Sequence, residues 1–283
     1  MAITRTFIAS LLAGICIASP MGQPSIRETL APRSFDIKSA YQRLHSHAGI
    51  QIVPSIIDGP IPANNGPLSF SNWAGALLES SNITSVTGTF TVPNPEVPSG
   101  GNSSTAYCGC AWIGIDGYSV DCPNGGLIQA GATWCIQDGS PSVNAWYEWY
   151  PAQAITTFDN FDVQAGDEIK VTVTATSSST GYTVVENLTQ GTQIRHTWDT
   201  ESPALCEATA EWIVEDFTDT SNGSDYLAPF ADYNGVVFTD NSATAKGEKV
   251  DVSNARPVNM VQNGNTVSEA TILVDQILVT YTG

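Results

Sequence analysis

The clearest pattern along this chain is alternation of apolar and polar positions with a period of two. In DEIKVTVTAT, Ile169, Val171 and Val173 point one way and Lys170, Thr172 and Thr174 the other, as successive side chains of a strand do. GYTVVENLTQGTQIRHTW reads as two strands around a glycine-containing turn at 189–191. VVFTD at 236–240 and ILVDQILVTY at 272–281 continue the pattern, and helical periodicity is hard to find beyond residue 68. Short strands at this spacing, with glycine and serine between them, predict an all-β antiparallel sandwich or barrel forming one domain over 68–283.

Some strands carry acids or amides on otherwise apolar faces. In NAWYEWYP (144–151), Trp146, Glu148 and Tyr150 share a face opposite Tyr147 and Trp149. In AEWIVEDF (210–217), Glu211, Ile213 and Glu215 share a face opposite Trp212, Val214 and Asp216. In GLIQAG, Leu127 and Gln129 share a face. A polar group on a buried strand needs a partner or costs stability. Gln129, Glu148 and Glu215 are therefore either satisfied structural groups or members of a site.

The first residues differ in kind. Residues 1–19 have one early base, Arg5, then an apolar run closing on Ala18 and Ser19, the layout of a secretory signal peptide. Its apolar run is shorter than the roughly 20 residues that cross a membrane, so secretion is expected and no membrane partner. Residues 20–67 carry bases, His45, His47 and the stretch DGPIPANNGP, and read as a propeptide processed near 58–70. The chain has a formal net charge of −18, yet only three of its 28 acids precede residue 60, against five of its ten bases. A basic propeptide would bind the acidic domain electrostatically, act as its inhibitor, and weaken as acid protonates the carboxylates. Nucleic acid is not an expected partner, because little in the domain could neutralise phosphates.

Sequons at Asn82, Asn102, Asn187 and Asn222 fit secretion as candidate glycosylation sites. Five cysteines follow the leader: Cys108, Cys110, Cys122, Cys135 and Cys206, enough for two disulfides and one leftover thiol. Their spacing does not suit zinc, and no metal or organic cofactor is expected. G-x-S-x-G, H-E-x-x-H and the D-T-G or D-S-G of pepsin-like enzymes do not occur, and His196, the only histidine beyond the propeptide, sits on a hairpin strand.

The segments SNWAGA (71–76), WIGIDG, LIQAG, AWYEWYP, GDEIKVTVTAT, VENLT and LCEATAEWIVEDF together resemble the glutamic peptidases, or eqolisins, in order and spacing. That resemblance implies a sandwich of two curved antiparallel sheets, of concanavalin or jelly-roll kind, with a cleft on the concave face. It implies a secreted acid endopeptidase, insensitive to pepstatin, acting on protein substrates through Gln129 and Glu215. It also places Trp112, Asp116, Trp146 and Glu148 in or near the cleft as shaping residues, with Glu211 and Asp216 supporting or exposed. A disulfide between Cys122 and Cys206 is implied too, while Cys135 pairs with Cys108 or Cys110. Thr133 and Asn144 stand where a member of the family carries aspartates.

In the chemistry this implies, ionised Glu215 takes a proton from water and later gives it to the leaving amine. Gln129 offers an N–H to the oxyanion and a carbonyl to the water. A monomer is expected. Two other readings fit concave β-sandwiches with acids and tryptophans: a glycoside hydrolase using Glu148 with Glu215, and a non-catalytic carbohydrate-binding module.

Overall fold

The computed structural model describes residues 66–118, 122–219 and 226–283. The leader, nearly all of the propeptide segment and the Asn222 sequon lie outside these. Eighteen strands and one short 3-10 turn make up the regular structure among the described residues. In chain order they are β1 (Leu68–Phe70), β2 (Trp73–Glu79), β3 (Ile83–Thr91), β4 (Tyr107–Ile115), β5 (Leu127–Gln137) and β6 (Ser140–Tyr150). Then come β7 (Gln153–Thr157), β8 (Glu168–Ser177), β9 (Thr180–Asn187), β10 (Thr192–Trp198), β11 (Thr209–Glu215) and β12 (Thr218–Asp219). The last six are β13 (Tyr226–Leu227), β14 (Gly235–Ala245), β15 (Glu248–Val250), β16 (Arg256–Gln262), β17 (Asn265–Leu273) and β18 (Gln276–Tyr281).

The main path runs β10-β9-β8-β3-β14-β18-β17-β16-β2-β11-β4-β5-β6-β7 and does not close. Its pairings are antiparallel, and the short β1 joins β16 in parallel. The path doubles over, so that β3, β8 and β9 pack on β11, β4 and β5 as the two layers of a sandwich. The core between the layers comes from the alternation. Ile169, Val171 and Val173 of β8 are fully buried, as are Ala111 and Ile113 of β4, Ile128 and Ala130 of β5, and Trp212 of β11. Trp212 spans the layers, its indole N–H donating to the Thr87 carbonyl at 2.9 Å. Gly88 beside it has to be glycine, because a Cβ there would lie 2.9 Å from both Ile113 Cδ1 and Trp212 Cδ1.

Two expectations need adjustment. ILVDQILVTY is not one strand; it is the end of β17 and the start of β18, folded back at Val274 and Asp275 with Leu273 opposite Gln276. Val274 takes φ 52° at that turn, a conformation β-branched residues avoid, so alternation alone gave no sign of it. The N-terminal boundary also sharpens. Leu68 and Phe70 are fully buried, and Phe70 packs on Trp73 and Tyr118 with ring centroids 6.1 and 5.5 Å away. A processing cut inside 68–70 would strip core residues from the domain.

Two disulfides tie the strands. Cys108 and Cys135 face each other in the register of β4 and β5 and are bonded, with Cα atoms 4.1 Å apart. Cys122 is bonded to Cys206, closing a separation of 84 residues. Cys110, one pair further along β4, is the buried free thiol among the described residues. Of the described sequons, Asn82 and Asn102 are exposed. Asn187 is not a suitable acceptor in this fold. It is 1% exposed, and its Nδ2 donates to the Asp162 carbonyl at 3.2 Å and to Asp167 Oδ2 at 2.7 Å.

Candidate active site

Register turns the strand faces into a floor. Across β2, β11, β4, β5 and β6 the aligned residues form three rows on the face away from the inter-sheet core. One row is Trp73, Glu215, Cys110, Thr133 and Asn144. The next is Gly75, Ile213, Trp112, Gly131 and Trp146, and the third is Leu77, Glu211, Gly114, Gln129 and Glu148. Glu215 and Gln129 thus share a face, two strands apart, on the rows either side of Trp112. Trp73, Trp112 and Trp146 belong to a second apolar cluster that lines this face, separate from the main core. Gly131 lets β5 approach Trp112 closely, since a Cβ there would lie 2.7 Å from the Trp112 Cβ.

Each polar member is held in a specific way. Glu215 is 1% exposed. Its Oε2 accepts from Trp112 Nε1 at 2.7 Å and its Oε1 from Asn72 Nδ2 at 3.2 Å. Trp112 is itself held edge-on by Trp73, with centroids 4.9 Å apart and planes at 77°. Burial pushes the Glu215 carboxyl up to about 7, against the pull of the Trp112, Trp73 and Asn72 donors. The Trp73 indole N–H favours the carboxylate from nearby without making a hydrogen bond of its own.

Gln129 is fully buried and faces Glu148 across β5 and β6, donating from Nε2 to Glu148 Oε2 at 2.5 Å. That uses one of its two N–H bonds, and its Oε1 has no partner. Burial pushes Glu148 well above the usual carboxylate range, and Glu215 is close enough to push it further. Trp146 is buried in the middle row with its indole N–H unpartnered.

The remaining residues separate. Asp116 lies past the end of β4, away from the pair. Its carboxylate accepts four backbone N–H groups, from Cys206, Glu207, Ala208 and Thr209, at 2.7 to 3.3 Å. It staples the approach to β11 rather than shaping the floor, and burial raises it against those four bonds. Glu211 and Asp216 are not exposed. Both are buried, and burial raises both carboxyls well above the usual range. Glu211 has no hydrogen-bond partner at either oxygen, and Asp216 Oδ2 accepts from Gln262 Nε2 at 2.7 Å. His196 is half-buried, stacked on Tyr147 with centroids 3.7 Å apart, and burial lowers its basicity.

Asn72 carries no role in the strand pattern, although SNWAGA contains it. It precedes β2 by one residue, where alternation assigns no face. The available signal was an amide placed directly before a fully buried strand.

Four comparisons identify the family. The profile of the Peptidase A4 family matches residues 71–281. Aspergillopepsin-2 of Aspergillus niger is 42% identical over 226 residues, covering 75% of this chain and 77% of that protein. Scytalidopepsin B of Scytalidium lignicola is 38% identical over 206 residues, covering 71% of this chain and 74% of that protein. The crystal structure of scytalido-glutamic peptidase with a transition state analog inhibitor superposes with TM-score 0.66 and 37% identity, over 75% of this chain and 98% of that one. With a matched profile spanning nearly the whole β-domain and relatives of this similarity, the chain belongs to the Peptidase A4 family, the glutamic peptidases.

Proposed function

We propose that this endopeptidase cuts protein substrates in acid with Glu215 moving the proton and Gln129 stabilising the reacting carbonyl oxygen. The observation that supports this most is the state of the two groups. Glu215 is a buried carboxyl fixed at both oxygens, and Gln129 keeps one N–H and its carbonyl unused on the same face.

The protonation state changes the order of steps expected from sequence. With Glu215 pushed up to about 7, its neutral form prevails throughout the acid range. At about pH 3 the ionised fraction would be on the order of one in 10,000, too small to serve as the resting base. The neutral acid therefore opens the cycle. Glu215 gives its proton to the carbonyl oxygen, which the second Gln129 N–H also binds. Water, held by Gln129 Oε1, attacks the carbonyl carbon and passes a proton back to the carboxyl. Glu215 then protonates the departing nitrogen as the C–N bond breaks, and recovers the hydroxyl proton of the tetrahedral intermediate. The enzyme ends as it began.

Glu148 orients Gln129 by occupying its other N–H. That occupation removes Glu148 from the glycosidase role, and nothing in the site favours either carbohydrate reading. Insensitivity to pepstatin follows, since no pair of aspartates flanks the site among the described residues. Secretion by way of the 1–19 leader, with a propeptide ending before Leu68, completes the proposal. Among the described residues no helix is long and apolar enough to cross a membrane.

The test is digestion of casein by the purified, acid-matured protein, alongside Glu215→Gln and Gln129→Ala, with circular dichroism confirming each fold. Gln129→Ala should lose roughly 100- to 1000-fold in rate, the usual effect of one oxyanion donor. A folded Gln129→Ala cutting as fast as wild type would refute its role.

A further inference from the structure

We propose that Asn72 is the positioning partner of Glu215: its amide donates to Oε1 when that oxygen is bare and, turned over, accepts from it when it carries the transferable proton. This rests on the reading of Glu215 as the proton-moving group.

The other oxygen of Glu215 fixes where the proton sits. Trp112 Nε1 donates to Oε2 at 2.7 Å, and an indole N–H can only donate. Oε2 must therefore accept in both protonation states. The better acceptor of a carboxylic acid is its carbonyl oxygen, so the proton is directed to Oε1. Asn72 is the residue bonded there, at 3.2 Å.

An amide suits an oxygen that gains and loses a proton. Rotation of the Asn72 side chain by about 180° exchanges a donor for an acceptor with little movement of heavy atoms. The exchange breaks no other side-chain bond, because Asn72 Oδ1 is unpartnered while Nδ2 serves Glu215. The backbone beneath is fixed independently of the side chain. Asn72 O accepts from Asp216 N at 2.9 Å, and Ser71 O accepts from Gln262 Nε2 at 3.0 Å. Substitution of the side chain leaves both bonds in place.

Among the described residues, the titratable neighbours of Glu215 are committed elsewhere. The titratable groups around Glu215 are Cys110 on β4, Glu148 on β6 and Asp216 beside it in the chain. Cys110 Sγ reaches the backbone carbonyl of Glu215 at 3.8 Å, Glu148 is engaged with Gln129, and Asp216 with Gln262. None of them is cationic.

The experiment measures kcat and KM against pH for wild type, Asn72→Ala, Asn72→Asp and Glu215→Gln, using the acid-matured protein and a synthetic peptide substrate. Asn72→Ala should lower kcat about tenfold to a hundredfold, the usual loss of a hydrogen bond to a charged or reacting group, with KM within about twofold. The alkaline limb of its kcat profile should move slightly upward, because the charge-assisted bond to the ionised carboxyl is stronger than the bond to the neutral acid, so its loss costs the ionised form more. Asn72→Asp has the same shape and, while protonated, can both donate and accept. It should stay within about fivefold of wild type near pH 3 and lose activity at lower pH than wild type does, as the new acid ionises. Wild-type kcat in Asn72→Ala, an unmoved alkaline limb, or Asn72→Asp as poor as Asn72→Ala in acid would each overturn the inference. Full activity in Glu215→Gln would instead sink the underlying reading of Glu215, and so is distinguishable.

Discussion

Raising the pH should destabilise this fold, and Glu215 allows the size of the effect to be worked out. Its carboxyl is pushed up to about 7 by burial, whereas an unfolded glutamate titrates near 4.3. The folded state therefore holds the proton more tightly, and stability is fully present below about pH 4 and lost as pH rises through about 7. The difference of roughly 2.7 pH units corresponds to about 3–4 kcal/mol. For a domain of this size that is on the order of 10 °C in melting temperature. Glu148, Glu211 and Asp216 are also buried without a cationic partner and raised by desolvation, so they act in the same direction. Self-repulsion of the acidic surface adds to it. Thermal melts of wild type and Glu215→Gln between about pH 3 and pH 8 isolate the Glu215 share, because surface charge is common to both. Wild type should melt highest in acid, and Glu215→Gln should fall by about 10 °C less across the range. A wild-type melting temperature that peaks near neutrality, or a Glu215→Gln curve parallel to wild type, would refute the reasoning.

Asp116→Ala should leave four backbone N–H groups at 206–209 without their acceptor and cost about 3 kcal/mol or more, read as a drop in the urea midpoint at acid pH. Unchanged stability would show that water replaces the carboxylate freely. Glu148→Leu should release the Gln129 amide and lower kcat by roughly tenfold or more, with a smaller effect on KM, in steady-state peptide cleavage. A pure KM effect would mean that Glu148 contacts substrate instead of orienting Gln129.

Alternation of period two reaches a long way in this chain. It places Ile169, Val171 and Val173 in the inter-sheet core, Glu148 on the face of Trp146, and Glu215 on the face opposite Trp212. It does not carry register, because sliding a strand by two residues preserves every face. The pairing of Gln129 with Glu148, and the choice of Cys108 over Cys110 as the partner of Cys135, become visible only when β4, β5 and β6 are aligned. Residues at strand ends escape the pattern for another reason. Asp116 and Asn72 act through loop backbone and strand entry, where no alternation exists to constrain them. Protonation is the third gap. Glu215 has the usual acidity of a glutamate until its burial is known, and burial reverses the form it takes in acid.

The most direct test is the pH dependence of kcat/KM on a peptide substrate, measured in assays short enough to precede unfolding, for wild type and for Glu215→Gln. If neutral Glu215 opens the cycle, wild-type activity is level in acid and falls about tenfold per pH unit above about 7, while folded Glu215→Gln is inactive throughout. Activity that rises through about pH 7, or that survives in Glu215→Gln, would contradict the account.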